Sequence, residues 1–122
     1  MNATVLYIED DAANVVLVGR LLKRRPQAEL RVATNGRDGV AAAVDGQPAL
    51  ILLDNQLPDA TGGDVLRQLT ANPATAQIPV IMISGDSAGG TINELLANGA
   101  VDFLVKPYDI NKFLTTIDKD LP

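Results

Sequence analysis

The sequence predicts an α/β domain in which helices cover both faces of a parallel sheet. Three observations lead to this class: short apolar segments recur along the 122 residues, segments with helical spacing of apolar residues separate them, and three of the apolar segments are continuously hydrophobic. Continuous hydrophobicity is typical of strands that are buried on both faces. Because the two kinds of segment alternate, we expect repeated βαβ units with right-handed crossovers.

The predicted strands differ in how hydrophobic they are. The first, third and fourth contain continuous apolar runs, whereas the second mixes apolar and polar residues, which suits the edge of a sheet. The five segments are TVLYI (4–8), LRVA (30–33), ALILLD (49–54), PVIMIS (79–84) and DFLVK (102–106).

The predicted helices are delimited by residues that start or stop them. In the first, Val15, Val18 and Leu22 share one face, and Pro26 prevents an extension. Asp109 is a candidate N-cap for the last helix. The three helices between them are predicted over 36–44, ended by Gly46 and Pro48, over 63–71, before Asn72-Pro73, and over 91–99, closed by Gly99 as a C-cap.

Two glycines, Gly89 and Gly90, precede the fourth predicted helix. Glycine costs about 0.5–1 kcal/mol per residue in a helix interior relative to alanine. We therefore expect this helix to begin late or to fray.

The strand order follows from the turn after the first strand. A dinucleotide-binding sheet would need a glycine-rich turn there, but this turn reads EDDAAN (9–14) and contains no glycine. The flavodoxin-like order 2-1-3-4-5 has no such requirement and uses five strands. We therefore predict a single flavodoxin-like domain over residues 1–122, with one doubly wound parallel sheet and no output domain.

Composition and charge exclude several classes of function. With 10 Lys+Arg and 15 Asp+Glu, the formal net charge of −5 disfavours nucleic-acid binding and anionic membrane surfaces. The chain has no cysteine, so disulfides and thiolate metal sites are ruled out, and no histidine, so phosphohistidine chemistry within this chain is ruled out too. No targeting or membrane segment is visible, which predicts a cytoplasmic protein.

Polar side chains end four of the predicted strands. Glu9-Asp10 follow the first, and Asp54, Ser84 and Lys106 end the third, fourth and fifth. The carboxyl ends of parallel strands share one edge of the sheet, where ligands bind. Carboxylates that converge without histidine or cysteine suit Mg²⁺. A lysine beside a metal makes sense if a phosphoryl group lies between them, with Lys106 and Ser84 on its oxygens and a carboxylate as nucleophile.

Together these motifs resemble the receiver domain of response regulators, the CheY-like family. The resemblance covers essentially the whole chain, and the spacing between the motifs is also similar to the family's. It depends on the acidic pair Glu9-Asp10, on LLDNQLPDATG around Asp54, on IMISGD with Ser84, and on DFLVKPYD with Lys106-Pro107.

The resemblance implies roles for these positions in phosphoryl transfer. Asp54 would accept the phosphoryl group and contribute to the metal site, Asp10 would bind Mg²⁺ directly, and Glu9 would act partly through water. The main-chain carbonyl of Gln56 would supply a further metal ligand. Gln56 and Asp86 flank the route of an attacking water and are candidates for tuning the lifetime of the acyl phosphate.

The resemblance also implies how the domain is activated. Ser84 would hydrogen-bond the phosphoryl group and Lys106 would pair with it, while Phe103 occupies the position of the aromatic switch residue that turns inward as Ser84 moves. The Lys106-Pro107 bond resembles the family's cis peptide, which aims the lysine into the site. The change is expected at the fourth helix, the fifth strand and the fifth helix.

The phosphoryl donor must come in trans, because this chain has no histidine. The resemblance implies a histidine kinase or a histidine phosphotransfer domain as donor, and a downstream effector or a second receiver as a further partner. Phosphoryl transfer and dephosphorylation would be self-catalysed, and no other enzymatic activity is predicted.

Two other functions compete with this prediction. A phosphatase with an aspartyl-phosphate intermediate would want a second acid two residues after the nucleophile, but that residue is Gln56. A degenerate receiver that serves only as a phosphorylation-independent docking module would typically lose the nucleophile, the lysine or the metal acids. All of these are retained here.

Single residues also have simpler interpretations. Asp11 is a candidate for the N-cap of the first helix, as an alternative to a role among the functional acids. Asp59 is expected to be a turn former. One aromatic residue on a buried strand, such as Phe103, is more often part of the core than a switch. Glu9 and Ser84 stand where Asp and Thr are commoner in the family, but the carboxylate and the hydroxyl are kept.

Overall fold

Five parallel strands form the sheet of the computed structural model, which describes residues 3–85 and 89–122, without the side chains of 89–91. The strands are β1 (Ala3–Ile8), β2 (Ala28–Ala33), β3 (Leu50–Asp54), β4 (Val80–Ser84) and β5 (Asp102–Val105). The helices are α1 (Ala12–Leu22), α2 (Gly36–Gly46), α3 (Gly62–Ala71), α4 (Gly89–Ala97) and α5 (Ile110–Asp118). Strands and helices therefore alternate along the chain, as predicted.

The strand order is β2-β1-β3-β4-β5, which confirms the predicted flavodoxin-like topology. Ile8 at the end of β1 pairs with Leu53 of β3, and the next residue of β3, Asp54, pairs with Ile83 of β4. The last residues of β4 and β5 also pair with each other. The register thus brings the carboxyl ends of four strands level with one another.

Two aliphatic cores lie on opposite faces of the sheet. The core shared with α1 and α5 contains Val5 and Tyr7 of β1, and the core shared with α2, α3 and α4 contains Leu6 and Ile8. Every residue of β3 and β4 is buried, because helices cover both faces of these strands. β2 combines exposed and buried positions and lies at the edge of the sheet, as its mixed composition predicted.

Side-chain caps define the starts of α1, α3 and α5. Asp11 caps α1 by accepting a hydrogen bond of 2.9 Å from a backbone N–H two residues later, which confirms its interpretation as an N-cap. Asp109 caps α5 as predicted, with a bond of 2.7 Å from a backbone N–H three residues later. Thr61 and Asp64 form a capping box at the start of α3.

The end of α2 differs from the prediction. Gly46 is still part of the helix, and Gln47 takes the left-handed conformation with φ of +47°, which glycine adopts more readily. The Gln47 side-chain amide donates at 3.0–3.3 Å to the carbonyl oxygens of Ala43, Val44 and Ala74. These hydrogen bonds offset the backbone strain, so this turn has no need of a glycine at its left-handed position.

α4 begins at Gly89, so the expected late start is wrong. Glycine is tolerated at the start of a helix, where it ranks with the capping residues rather than with the helix breakers. Fraying of this helix stays a prediction. Its end confirms the predicted C-cap: Gly99 has φ of +114°, and the N–H of Ala100 donates to the carbonyl of Leu95 at 3.1 Å.

The helices contain 9 to 11 residues each. Within the two described ranges, no helix combines the length and the hydrophobicity required to cross a membrane.

Candidate functional site

The polar residues that follow or end β1, β3, β4 and β5 meet at one edge of the sheet. Glu9, Asp54 and Ser84 are buried, with exposed fractions of 1%, 7% and 6%, whereas Asp10 is exposed. Lys106 is partly buried and reaches the group from the end of β5. Because burying a charge is costly unless it is paired, the partners of Glu9 and Asp54 decide what the site can do.

Both carboxylate oxygens of Asp54 accept a hydrogen bond from the chain. Oδ1 accepts one from Lys106 Nζ at 2.8 Å, and Oδ2 accepts one from the backbone N–H of Gln56 at 3.1 Å. Lys106 Nζ also lies 3.7 Å from Glu9 Oε1. The carboxylate is therefore fixed in orientation, yet each oxygen keeps a lone pair for another ligand.

The backbone of Lys106 is hydrogen-bonded to the end of β4. Its N–H donates to the carbonyl of Ser84 at 2.8 Å, and its peptide bond with Pro107 is cis, as the resemblance implied. Burial alone would lower the pKa of the Lys106 ammonium, but the hydrogen bond to Asp54 and the charges of Asp54 and Glu9 outweigh it and raise the pKa. Lys106 therefore stays positively charged within the site.

Glu9 is buried with half of its carboxylate unsatisfied. Asn14 Nδ2 donates to Glu9 Oε1 at 2.5 Å, whereas Oε2 has no hydrogen-bond partner among the described residues. Burial raises the pKa of Glu9 to about 7; the hydrogen bond from Asn14 lowers it, and the neighbouring charge of Asp54 raises it further. A cation close to Oε2 would offset the cost of burying the charged carboxylate.

The acidic residues fit a hard divalent cation. One carboxylate oxygen each from Glu9, Asp10 and Asp54 lie within 4.8 Å of one another. All the candidate ligand atoms are oxygens, and the buried Oε2 of Glu9, which has no hydrogen-bond partner among the described residues, is available to a cation. Mg²⁺ takes few carboxylates and keeps several waters, for which the exposed position of Asp10 leaves room. The residues present therefore fit Mg²⁺.

Two surface depressions meet at Asp54. One has a volume of about 350 Å³ and contains the acidic turn 9–11. The other has a volume of about 400 Å³ and contains Ser84 at the end of β4. Asp54, Gln56 and Lys106 line both. Asp54 thus borders both the acidic depression and a second depression with room for a small anion. The Gln56 carbonyl as a metal ligand stays a prediction.

The predicted switch residues lie on adjacent strands. Ser84 ends β4, and Phe103 lies on β5, where it pairs with Met82. Phe103 is partly buried and packs against the core shared with α2, α3 and α4. Their role as switch residues stays a prediction. Asp86, the other candidate for tuning the acyl-phosphate lifetime, lies outside the described residues.

Two residues near the site have contacts that the sequence analysis missed. Asn14 donates a hydrogen bond to Glu9. The signal in the sequence for this contact was an amide in the first turn of a helix that begins at an acidic turn.

Asp59 is more than the turn former that was predicted, because its carboxylate accepts hydrogen bonds from the backbone N–H groups of Gly36 and Arg37. These hydrogen bonds lower the pKa of Asp59. The two partners lie 23 and 22 residues away, so no local pattern could indicate the contact.

Comparison with known sequences gives close relatives over nearly the whole chain. A family model for the response regulator receiver domain matches residues 5–118. Response regulator PleD of Caulobacter vibrioides is 38% identical over 112 residues, which cover 89% of this chain and 24% of PleD. Protein PilH of Pseudomonas aeruginosa is 32% identical over 116 residues, which cover 95% of each chain. The chain thus spans a minor part of the first relative and nearly all of the second.

Solved structures share the fold. The receiver domain of sensor histidine kinase PA1611 from Pseudomonas aeruginosa superposes with a TM-score of 0.88 at 21% identity, over 98% of both chains. That receiver domain has a magnesium ion coordinated in its active site cleft. Chemotaxis protein CheY4 of Vibrio cholerae superposes with a TM-score of 0.90 at 25% identity, over 99% of this chain and 100% of that one.

Proposed function

Because the chain belongs to the response regulator receiver domain family, we propose that it is a phosphorylation-dependent switch in which Asp54 accepts the phosphoryl group. Accepting a phosphoryl group is the function of the family, and the assignment of that function to Asp54 is the proposal. The observation that carries it is that the Asp54 carboxylate belongs to the acidic cluster and also accepts a hydrogen bond from Lys106.

Charges of both signs next to Asp54 support its role as the nucleophile. Lys106 Nζ lies 2.8 Å from Oδ1, and the oxygens of Glu9 and Asp10 lie within 4.8 Å of an Asp54 oxygen. A phosphoryl group on Asp54 would lie close both to Lys106 and to a cation held by the acids. Both would stabilise the negative charge on the phosphoryl oxygens. This arrangement explains why a lysine lies next to metal-binding acids.

Glu9, Asp10 and Asp54 are the residues that would hold Mg²⁺, with the main-chain carbonyl of Gln56 as a further oxygen ligand. When bound, Mg²⁺ would neutralise charge on the acids and on the phosphoryl group. Asn14 would keep Glu9 oriented through its hydrogen bond to Oε1, which leaves Oε2 to face the ion or one of its waters.

The transfer forms one bond and breaks one. A carboxylate oxygen of Asp54 attacks phosphorus, the P–N bond to the donor's histidine breaks, and the imidazole nitrogen leaves with the electron pair and takes a proton from water. Ser84 and Lys106 would hold phosphoryl oxygens. Hydrolysis later adds water at phosphorus and returns the carboxylate and inorganic phosphate, with Gln56 and Asp86 flanking the route of the water.

A histidine kinase or a histidine phosphotransfer domain is the proposed donor, since the chain has no histidine of its own. Phosphorylation would shift an existing equilibrium between two conformations. Ser84 and Phe103 would carry the change to the surface formed by α4, β5 and α5. A downstream effector or a second receiver would bind at that surface.

Intact-mass analysis after incubation with acetyl phosphate tests this proposal. We expect a labile adduct of one phosphate on the wild type with Mg²⁺, and no adduct with EDTA or with Asp54→Asn. Asp45→Asn changes an exposed carboxylate on α2 and is the matched control that should still form the adduct. A wild type that binds Mg²⁺ but accepts phosphate neither from acetyl phosphate nor from a phosphorylated histidine kinase would contradict the proposal and favour the docking module.

A further inference from the structure

The start of α2 is held by side chains from two different parts of the chain. Asn35 is the local N-cap, and its side-chain oxygen accepts a hydrogen bond from the backbone N–H of Asp38 at 2.8 Å. The N–H groups of Gly36 and Arg37 donate instead to the two carboxylate oxygens of Asp59, at 2.7 and 3.0 Å. Asp59 belongs to the loop between β3 and α3, so a distant loop satisfies two of the otherwise unpaired donors of this helix.

The loop that carries Asp59 also carries Gln56, and backbone contacts make the loop one unit. The N–H of Gly62 donates to the carbonyl of Asn55 at 2.7 Å, and Gln56 forms an antiparallel bridge with Thr61. A further backbone hydrogen bond of 3.1 Å closes the tip of the loop. A displacement of the tip is therefore passed to Gln56 at the base.

Close packing leaves little freedom at the tip and at the base of this loop. A Cβ at Gly36 would lie 2.8 Å from Val65 Cγ2 and 3.2 Å from Asp59 Oδ1. A Cβ at Gly62 would lie 2.6 Å from the carbonyl oxygen of Asp54. The loop is thus seated against α2 at its tip and against the backbone of Asp54 at its base.

We propose that Asp59 is a positioning residue of the metal site, which fastens the loop over 55–61 to α2 and thereby holds the Gln56 carbonyl in place for Mg²⁺. The inference rests on the proposed function, because it takes Gln56 as a ligand. The carboxylates that converge in the described part of the chain are Glu9, Asp10 and Asp54, so Asp59 acts through the backbone rather than on the ion. Linkage requires the reverse effect as well: bound Mg²⁺ strengthens the contact between Asp59 and α2.

Variants of the two caps of α2 separate positioning from stability. Asp59→Ala removes the contact between the loop and α2. Asn35→Ala removes the local cap of α2 and leaves the contact between Asp59 and α2 in place. Either variant should lower Tm by about 3–6 °C. Asp59→Ala alone should raise the Mg²⁺ dissociation constant, by about fivefold or more, in isothermal titration calorimetry of the metal-free protein.

Amide exchange measured by NMR gives a second readout. Saturating Mg²⁺ should slow the exchange of the Gly36 and Arg37 amides in the wild type and in Asn35→Ala. In Asp59→Ala this effect of Mg²⁺ should disappear. Asp59→Asn keeps one acceptor oxygen and should give an intermediate dissociation constant, which also covers the case in which Asp59→Ala does not fold.

Three results would overturn the inference. They are an unchanged Mg²⁺ dissociation constant in both Asp59 variants, an equal rise in Asn35→Ala and Asp59→Ala, and no Mg²⁺ binding by the wild type. None of these measurements depends on phosphorylation. A failure of Asp54 to accept a phosphoryl group would therefore contradict the proposed function and leave the result on Asp59 standing.

Discussion

At the scale of single residues, two carboxylates near the site experience opposite surroundings. Burial raises the pKa of Glu9 to about 7, and one of its oxygens has no partner within the described ranges. Backbone hydrogen bonds from Gly36 and Arg37 lower the pKa of Asp59. The charged form of Glu9 is therefore stabilised when a cation binds. The charged form of Asp59 is already stabilised by hydrogen bonds within the folded chain.

In EDTA, the metal-free protein should lose stability as Glu9 ionises. The pKa of Glu9 is 4.5 in its ordinary state and about 7 in the fold, so between these values the folded state binds more protons than the unfolded state. The free energy of unfolding therefore falls as the pH rises through this range. Glu9→Gln removes the contribution of this carboxylate to the pH dependence and should raise the free energy of unfolding by about 1–3 kcal/mol at a pH of about 8. Urea denaturation near pH 5 and near pH 8 measures the difference.

The same pair of proteins provides the control for this prediction. With saturating Mg²⁺ near pH 8, the wild type should gain more stability than Glu9→Gln, since the bound ion compensates the carboxylate. If the two proteins were equally stable in EDTA across this pH range, the Glu9 carboxylate would not carry the cost of burial described above.

At the scale of secondary structure, two helical glycines have opposite surroundings. A Cβ at Gly19, inside α1, would meet Leu30 at 3.7 Å, which is an ordinary contact. A Cβ at Gly39, inside α2, would lie 2.6 Å from Ile8 Cδ1. The close approach of α2 to β1 therefore requires glycine at position 39 but nothing requires it at position 19.

Alanine substitutions at these two positions should change stability in opposite directions. Gly19→Ala should raise the free energy of unfolding by about 0.5–1 kcal/mol, because alanine loses less backbone entropy on folding. Gly39→Ala should lower it by about 1–3 kcal/mol, because the added methyl group overpacks the contact with Ile8. Urea denaturation of both variants measures the two changes. A Gly39→Ala variant as stable as the wild type would mean that α2 packs more loosely on β1.

The elements that could be predicted from the sequence are those whose signals are local. Alternating apolar segments and the caps Asp11 and Asp109 were sufficient for the strands and most helices, and the glycine-free turn after the first strand indicated the strand order. The end of α2 could not be predicted, because Gln47 is held partly by Ala74, which is 27 residues away. The strand ends located the candidate site, but the contact of Asp59 with α2 depends on tertiary structure and has no signature in either segment.

At the scale of the whole molecule, an acidic cluster at one edge adds to the self-repulsion of a chain with a net charge of −5. Mg²⁺ should therefore stabilise the fold beyond simple screening. At a concentration of about 100 times its dissociation constant, the gain in the free energy of unfolding should be about 2.7 kcal/mol. Thermal denaturation with MgCl₂ measures the gain, and NaCl of equal ionic strength is the control. An equal rise in Tm with both salts would mean that Mg²⁺ acts by screening alone.

The central strand also has a mechanical consequence. β3 is buried along its whole length and is hydrogen-bonded to β1 on one side and β4 on the other, so its amides should exchange only when the domain unfolds. Asp54 is the last residue of this strand. A group attached to Asp54 should therefore displace the bordering loops and helices, while the sheet keeps its shape.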